Sequence, residues 1–249
     1  MSGSARTAVP AVPDKSPDRI AGMFDAIAPR YDLLNRLLSA GIDRRWRRRA
    51  IDALRLTGSE TVVDVCAGTA DVALEAMAPQ RGRACAARVV GVDFAGAMLA
   101  LGLEKVRSAG RERQMVLVQG DAMRLPVADQ SADAVTVAFG IRNVHTASVA
   151  CEEMARVLKP GGRLAILEFG VPRVPGLAWL YQWYFRAVLP RVGRLISGHT
   201  GAYSYLPASV GTFTPPAEFS RMLETAGFRD VRADPLTIGI VYLYTARRA

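Results

Sequence analysis

The chain has little cysteine, and its pattern excludes much. Cys66, Cys85 and Cys151 are odd in number and show no Cys-x-x-Cys spacing. No disulfide framework or cysteine-based zinc site is implied, which suits a reducing cytoplasm. No apolar run reaches the roughly 18–20 residues needed to span a bilayer. There are two histidines, His145 and His199, so few side chains can move protons near neutral pH. The Gly-x-Gly-x-x-Gly fingerprint of nicotinamide dehydrogenases is missing. Acid is also scarce where base is not: between Phe169 and Ala217 there is no Asp or Glu, against Arg173, Arg186, Arg191 and Arg194.

What is present is a basic, half-apolar chain. Its 249 residues carry 32 Lys+Arg against 23 Asp+Glu, a net charge of +9, and 50% are hydrophobic. That is enough to fill the core of one α/β domain. The excess charge calls for an anionic partner: a membrane surface, an acidic substrate or nucleic acid. It is uneven, with Arg44, Arg45, Arg47, Arg48 and Arg49 surrounding Trp46. Residues 1–18 are small, polar and proline-rich, without the apolar core of a secretory signal, and are expected to form a flexible arm.

After the arm, Ile20 to Leu56 has apolar residues at helical spacing. Gly41 interrupts it, and Asp43 is placed to cap a basic helix through Leu54. Strands then alternate with helices: Thr61–Cys66, Asp71–Ala78, Arg88–Asp93, Gly96–Ser108, Met115–Gln119, Ala134–Phe139, Thr146–Leu158 and Arg163–Glu168. This rhythm predicts a parallel, doubly wound sheet. Lys159-Pro160-Gly161-Gly162 reads as a helix stop. The rhythm fails over residues 170–209, expected to be an insertion. A helix at Pro216–Ala226 precedes two strands, Phe228–Ala233 and Thr237–Ala246. Their connection, Asp234-Pro235-Leu236, is too short for a crossover, so this pair must be antiparallel.

The run Val62-Val63-Asp64-Val65-Cys66-Ala67-Gly68-Thr69-Ala70-Asp71 is a buried strand, a small-residue turn and a helix start. Asp64 would repel a pyrophosphate held on backbone N–H groups. It suits a ligand that is cationic at that end, and S-adenosylmethionine, with its ammonium and sulfonium, is the metabolite that fits. Gly68 permits close approach and Thr69 can donate a hydrogen bond. Asp93, ending the second strand, is placed to accept both ribose hydroxyls. Asp121 and Ala122, after the third strand, can meet the adenine amine. Ala70 stands where a third glycine is common.

These motifs and their flanks resemble the ubiquinone/menaquinone biosynthesis C-methyltransferase family over nearly all of the chain after the arm. Its early motif is similar to Tyr31-Asp32-Leu33-Leu34-Asn35 followed by Ser39, Asp43 and Trp46, with Leu34 replacing Met and Asp43 replacing His. Arg156-Val157-Leu158-Lys159-Pro160-Gly161-Gly162 then Glu168, with Gly170 for the usual serine, is a second match. Phe139-Gly140-Ile141-Arg142-Asn143-Val144 and Tyr203-Ser204-Tyr205-Leu206-Pro207 are others. The form of Cys66–Asp71 is similar to the menaquinone branch. The resemblance implies a class I S-adenosylmethionine-dependent methyltransferase: Rossmann-like, with a seven-stranded, mostly parallel sheet and an antiparallel last strand. It has a single domain over residues 19–249, with a helical cap at 19–56 and a quinol lid at 170–209. It further implies S-adenosyl-L-methionine as cofactor and methylation of a ring carbon of demethylmenaquinol.

A sulfonium is already an activated electrophile, so no metal is needed. The protein must align a phenolate carbon and stabilise its charge. Arg142 and Asn143, just after the fourth strand, are candidates for this, Arg142 acting on the phenolate or on a water. Tyr31 with Asp32 from the cap, and His199 in the insertion, are further candidates; His145 is a weaker one. Gly176–Ile196, apolar and aromatic with arginine edges, suits a lid over a prenylated quinol or a segment lying on the inner membrane face. Location is expected to be cytoplasmic, with peripheral membrane contact, and a homodimer is left open. Competing readings are a benzoquinol substrate, an RNA methyltransferase and a non-enzymatic S-adenosylmethionine-binding protein. No Asn-Pro-Pro-Tyr-like run or RNA-binding module supports nucleic acid as the partner.

Overall fold

A computed structural model describes residues 15–79, 84–172, 205 and 208–249. The elements are α1 (Pro17–Leu38), α2 (Asp43–Ala53), β1 (Thr61–Val65), α3 (Asp71–Met77), β2 (Arg88–Asp93), α4 (Gly96–Ser108), β3 (Met115–Gln119), β4 (Ala132–Ala138), α5 (Ala147–Val157), β5 (Leu158–Phe169), α6 (Pro216–Thr225), β6 (Phe228–Leu236) and β7 (Val241–Arg248). They form one seven-stranded sheet in the order β3-β2-β1-β4-β5-β7-β6. β1 to β5 pair in parallel, and β7 runs antiparallel to both β5 and β6. This is the class I fold expected. The strand order reverses between β1 and β4, so their carboxyl ends open a crevice in which ligands bind in such sheets.

Both faces of the sheet are covered. Val63, Val65, Val135 and Val137 pack on one face with Met154 of α5 and with Phe219 and Leu223 of α6. Val62, Ala134, Ala165 and Leu167 pack on the other with Trp46 and Ile51 of α2 and Met77 of α3. Burying a side chain as large as Phe219, which is fully enclosed, is worth about 3 kcal/mol. α1 lies over α4, with Ile27 and Ala28 against Ala95 and Met98. In addition, the Ala97 N–H donates to Asp25 Oδ1 at 2.9 Å. The cap is thereby fixed beside the crevice.

Several expected boundaries move for physical reasons. α1 begins at Pro17, a favoured first helical position, so the end of the expected arm is helix. Asp43 does not cap α2: Ile42 is the N-cap, without a side-chain bond. Asp43 instead accepts from Ser39 Oγ at 2.8 Å and pairs with Arg47 at 3.2 Å. The Lys159–Gly162 stop ends α5, but the chain runs directly into β5, because Leu158 pairs with Ala132 across a register shift. Asp234, Pro235 and Leu236 belong to β6, pairing with Leu243, Tyr242 and Val241. Pro235 is tolerated because β6 is an edge strand, and the reversal passes through a 3₁₀ turn at Thr237–Gly239. Gly170, which replaces a family serine, has a local cause: a Cβ there would lie 2.7 Å from the Tyr242 ring.

Candidate active site

A cavity opens at the carboxyl ends of β1, β2, β3 and β4, under α1, where small-molecule sites form in such sheets. One part of its wall is made by Gly68, Asp93, Asp121 and Ala122, and another by Tyr31, Phe139, Gly140, Asn143 and His145. Sequence reasoning therefore placed two groups of residues that the fold does bring together.

The first group is organised by Asp93. Its carboxylate accepts the Gly68 N–H on Oδ2 at 2.8 Å and the Ala95 N–H on Oδ1 at 2.9 Å. The backbone turn after β1 is thus tied to the end of β2. Burial pushes the Asp93 carboxyl up, against the opposing pull of the Ala95 and Gly68 N–H groups. Gly68 has φ +54, a conformation that favours glycine. Ala70 adopts φ 64 with a Cβ, so the departure from a third glycine leaves a strained first position before α3. After β3, Asp121 Oδ1 accepts the Met123 N–H at 2.8 Å and shapes the next turn.

Asp64 and Thr69 are not on the cavity wall. Residues alternate across a strand, so Val63 and Val65 take one face of the sheet and Asp64 the other. Asp64 is 1% exposed, and neither of its oxygens has a hydrogen-bond partner. Burial pushes its carboxyl up to about 8, so it is largely neutral at pH 7. The structure thus places Asp64 in the layer beneath the cavity wall and not on it. Thr69 turns its hydroxyl toward the cap: it donates to Asp32 Oδ1 at 2.7 Å and accepts from Lys105 Nζ at 2.9 Å. Lys105 also pairs with Asp32 at 2.5 Å and Asp71 at 2.6 Å. Asp32 therefore locks α1 to α3 and α4 rather than entering the site.

The second group follows β4. Asn143 ends a 3₁₀ turn, Ile141–Asn143. It is buried on the wall, and its Oδ1 has no partner, an acceptor left for a ligand to satisfy. Tyr31 meets the same cavity, edge-on to Phe24 with centroids 6.1 Å apart, and burial raises its phenol pKa. Arg142 does not reach the wall. Its Nη1 pairs with Glu168 Oε1 at 2.7 Å and donates to the Phe139 carbonyl. The guanidinium also lies 5.3 Å from the centre of the Phe169 ring. Both partners are enclosed, Arg142 at 6% and Glu168 at 0% exposure. Direct contact of Arg142 with a phenolate is thus corrected to a framing role. His199 lies outside the described residues, as does Gly176–Ile196.

Lys15 on the wall was not singled out from the sequence, and Cys66, Phe139 and Gly140 entered only as parts of segments that resemble the family. Cys66 and Phe139 end neighbouring strands with φ 57 and 60; strain of this kind gathers at ligand sites. Gly140 is required there, since a Cβ would lie 2.3 Å from that of Cys66. Their positions at the topological switch were a usable signal. Lys15 had none, being hidden in a proline-rich stretch.

The chain is 51% identical over 227 residues to the ubiquinone/menaquinone biosynthesis C-methyltransferase UbiE of Syntrophotalea carbinolica, covering 91% of this chain and 93% of that one. It is 46% identical to the demethylmenaquinone methyltransferase of Thermus thermophilus, covering 91% and 100%. Its fold matches a solved S-adenosylmethionine-dependent methyltransferase of Thermotoga maritima with TM-score 0.63 and 17% identity, covering 92% and 100%. The model of the ubiE/COQ5 methyltransferase family matches residues 13–248, and the chain belongs to that family.

Proposed function

We infer that this protein transfers a methyl group from S-adenosyl-L-methionine to a ring carbon of demethylmenaquinol, giving menaquinol. The observation that carries the reading is one cavity wall holding both Gly68, Asp93, Asp121 and Ala122 and, beside them, Tyr31 and Asn143. Relatives bearing the demethylmenaquinone methyltransferase name cover nearly the whole chain, and the Cys66–Asp71 form favours that branch over a benzoquinol.

The wall fits the cofactor. The Asp93 carboxylate is fixed by two backbone N–H groups, with lone pairs left for ribose hydroxyls. Asp121 and Ala122 sit where an adenine amine would be met. Gly68 and Gly140 keep side chains out of the space. A Cβ on Gly120 would lie 2.9 Å from Pro126 Cδ, which fixes the backbone before Asp121. When bound, the cofactor supplies a methyl group already activated on a sulfonium. The protein orients the quinol ring against it, and Asn143 and Tyr31 face that ring. The Arg142–Glu168 pair holds the turn that presents Asn143.

A peripheral position on an anionic bilayer belongs to the same reading. Among the described residues no helix is long and apolar enough to cross a membrane. Arg44, Arg45, Arg48 and Arg49 are exposed along α2. Ile238 and Val171 are large apolar side chains exposed to 64% and 43%, and apolar side chains alongside basic ones suit an interface between headgroups and acyl chains.

The test is incubation with methyl-labelled cofactor and, separately, short-tailed demethylmenaquinol, demethylated benzoquinol and total RNA. Label on the naphthoquinol ring carbon is the expected result. Label only in RNA, or in none of the three, would overturn the reading.

A further inference from the structure

Among the described residues, the cavity wall contains one amine, and the reaction inferred above gives it no part. Lys15 immediately precedes α1 and lines the cavity together with Tyr31, Phe139, Asn143 and His145. The charges acting on its ammonium are those of Arg142 and Glu168, which lie behind Asn143. Lys15 thus shares the cavity with Tyr31 and Asn143, the residues of the acceptor end. The groups sharing its surroundings are Tyr31 from α1, Cys66 after β1, Asp93 after β2, Asp121 after β3, His145 after the 3₁₀ turn, and the Arg142–Glu168 pair. Tyr205 senses that same pair.

Methylation of a quinol carbon needs a group to take the ring hydroxyl's proton, and Tyr31, Cys66 and Asp93 on the same wall are poorly suited. Burial raises both the Tyr31 phenol and the Cys66 thiol, so both stay protonated. Asp93 is occupied by the Gly68 and Ala95 N–H groups. Lys15 moves the other way: burial, then the Arg142 charge, lowers its pKa, with Glu168 opposing. An amine so placed holds a larger neutral fraction near neutral pH than an exposed lysine.

We propose that Lys15 is the proton acceptor for the quinol ring hydroxyl, and that its ammonium then pairs with the phenolate oxygen at the acceptor end of the cavity. The inference rests on the methyl-transfer reading. The hydroxyl proton moves to Nζ, and the oxygen's charge spreads to the adjacent ring carbon. That carbon's electron pair forms the new C–C bond as the methyl–sulfur bond breaks, and sulfur keeps the breaking pair as a neutral thioether. The hydrogen on the methylated carbon leaves to water as the ring regains aromaticity, and Nζ returns its proton to the oxygen. One proton is released per turnover, and Lys15 is regenerated.

The experiment uses the full chain with short-tailed demethylmenaquinol. It compares wild type, Lys15→Met and Lys15→Arg in single turnover across pH, with S-adenosylhomocysteine affinity as control. Wild-type rate should rise with pH through an ionisation below the ordinary lysine value, because the neutral amine is the reactive form. Lys15→Met should lose about 100-fold in rate, the usual worth of a positioned base, with cofactor affinity unchanged. Lys15→Arg keeps the positive charge but takes no proton, so it should stay slow and lose that ionisation. Met-variant rates within about threefold of wild type, or an unchanged pH profile in Lys15→Arg, would overturn the proposal. So would a profile abolished by His145→Ala but not by Lys15→Arg. Failure of wild type itself to methylate the quinol would instead remove the reading beneath it.

Discussion

The two ends of the cavity are built by different rules. At the cofactor end, Gly68, Asp93 and Asp121 lie at or just past the ends of β1, β2 and β3, and backbone N–H bonds to the Asp93 carboxylate tie Gly68 to the end of β2. At the acceptor end, Tyr31 and Lys15 come from the N-terminal segment, and Asn143 comes from a 3₁₀ turn. That turn is held from behind by the buried Arg142–Glu168 pair. The first end follows from strand order alone. The second depends on long-range pairing and on how the cap lies on α4, so it is where substrate choice can vary while cofactor use is preserved.

The largest expected effect tests whether the acceptor end has a frame distinct from its wall. Arg142→Met leaves the Glu168 charge enclosed without its partner, and should lower unfolding stability in urea by about 3 kcal/mol. Adding Glu168→Leu should restore much of the loss, since an apolar pair can replace a buried ion pair. Asn143→Ala should do the opposite. It removes an unpartnered acceptor, so stability should change by less than about 1 kcal/mol while methyl transfer falls sharply. An Arg142→Met midpoint equal to wild type would dissolve the distinction. A smaller effect sharpens it from outside. Binding to anionic vesicles should weaken severalfold as salt rises, and should weaken again when Arg44, Arg45 and Arg49 are changed to Glu, with cofactor affinity untouched. Indifference to lipid charge would confine the lipid question to the cavity.

Much of the cofactor end was legible in the sequence. The apolar strands and their small-residue turns put Gly68, Asp93, Asp121 and Ala122 at strand ends, and topology carries strand ends to one crevice. The exact bounds of β2, β3 and α4 came from the same pattern. Asp64 was misplaced because its chemistry was considered without its face: one step of strand alternation turns it from the crevice into the layer beneath. The turn of the Thr69 hydroxyl toward the cap was not legible because its partners, Asp32 and Lys105, are remote in sequence. Arg142 gave no sign that Glu168, on the neighbouring strand, would claim it. Lys15 was invisible because composition marks residues 1–18 as an arm, and only the fold shows that Lys15 meets the cavity.

The central claim is that the cofactor is held by the Asp93–Gly68 tie on the wall and not by Asp64 beneath it. Titration of S-adenosylhomocysteine into Asp93→Asn and Asp64→Asn, side by side, tests it most directly. Asp93→Asn puts an amide donor against a backbone N–H and should weaken binding about 100-fold, as expected for losing charge-assisted hydrogen bonds worth about 2–3 kcal/mol. Asp64→Asn should bind within about twofold of wild type, since a largely neutral carboxyl off the wall contributes little charge to the ligand. A large loss from Asp64→Asn with Asp93→Asn near normal would contradict the account.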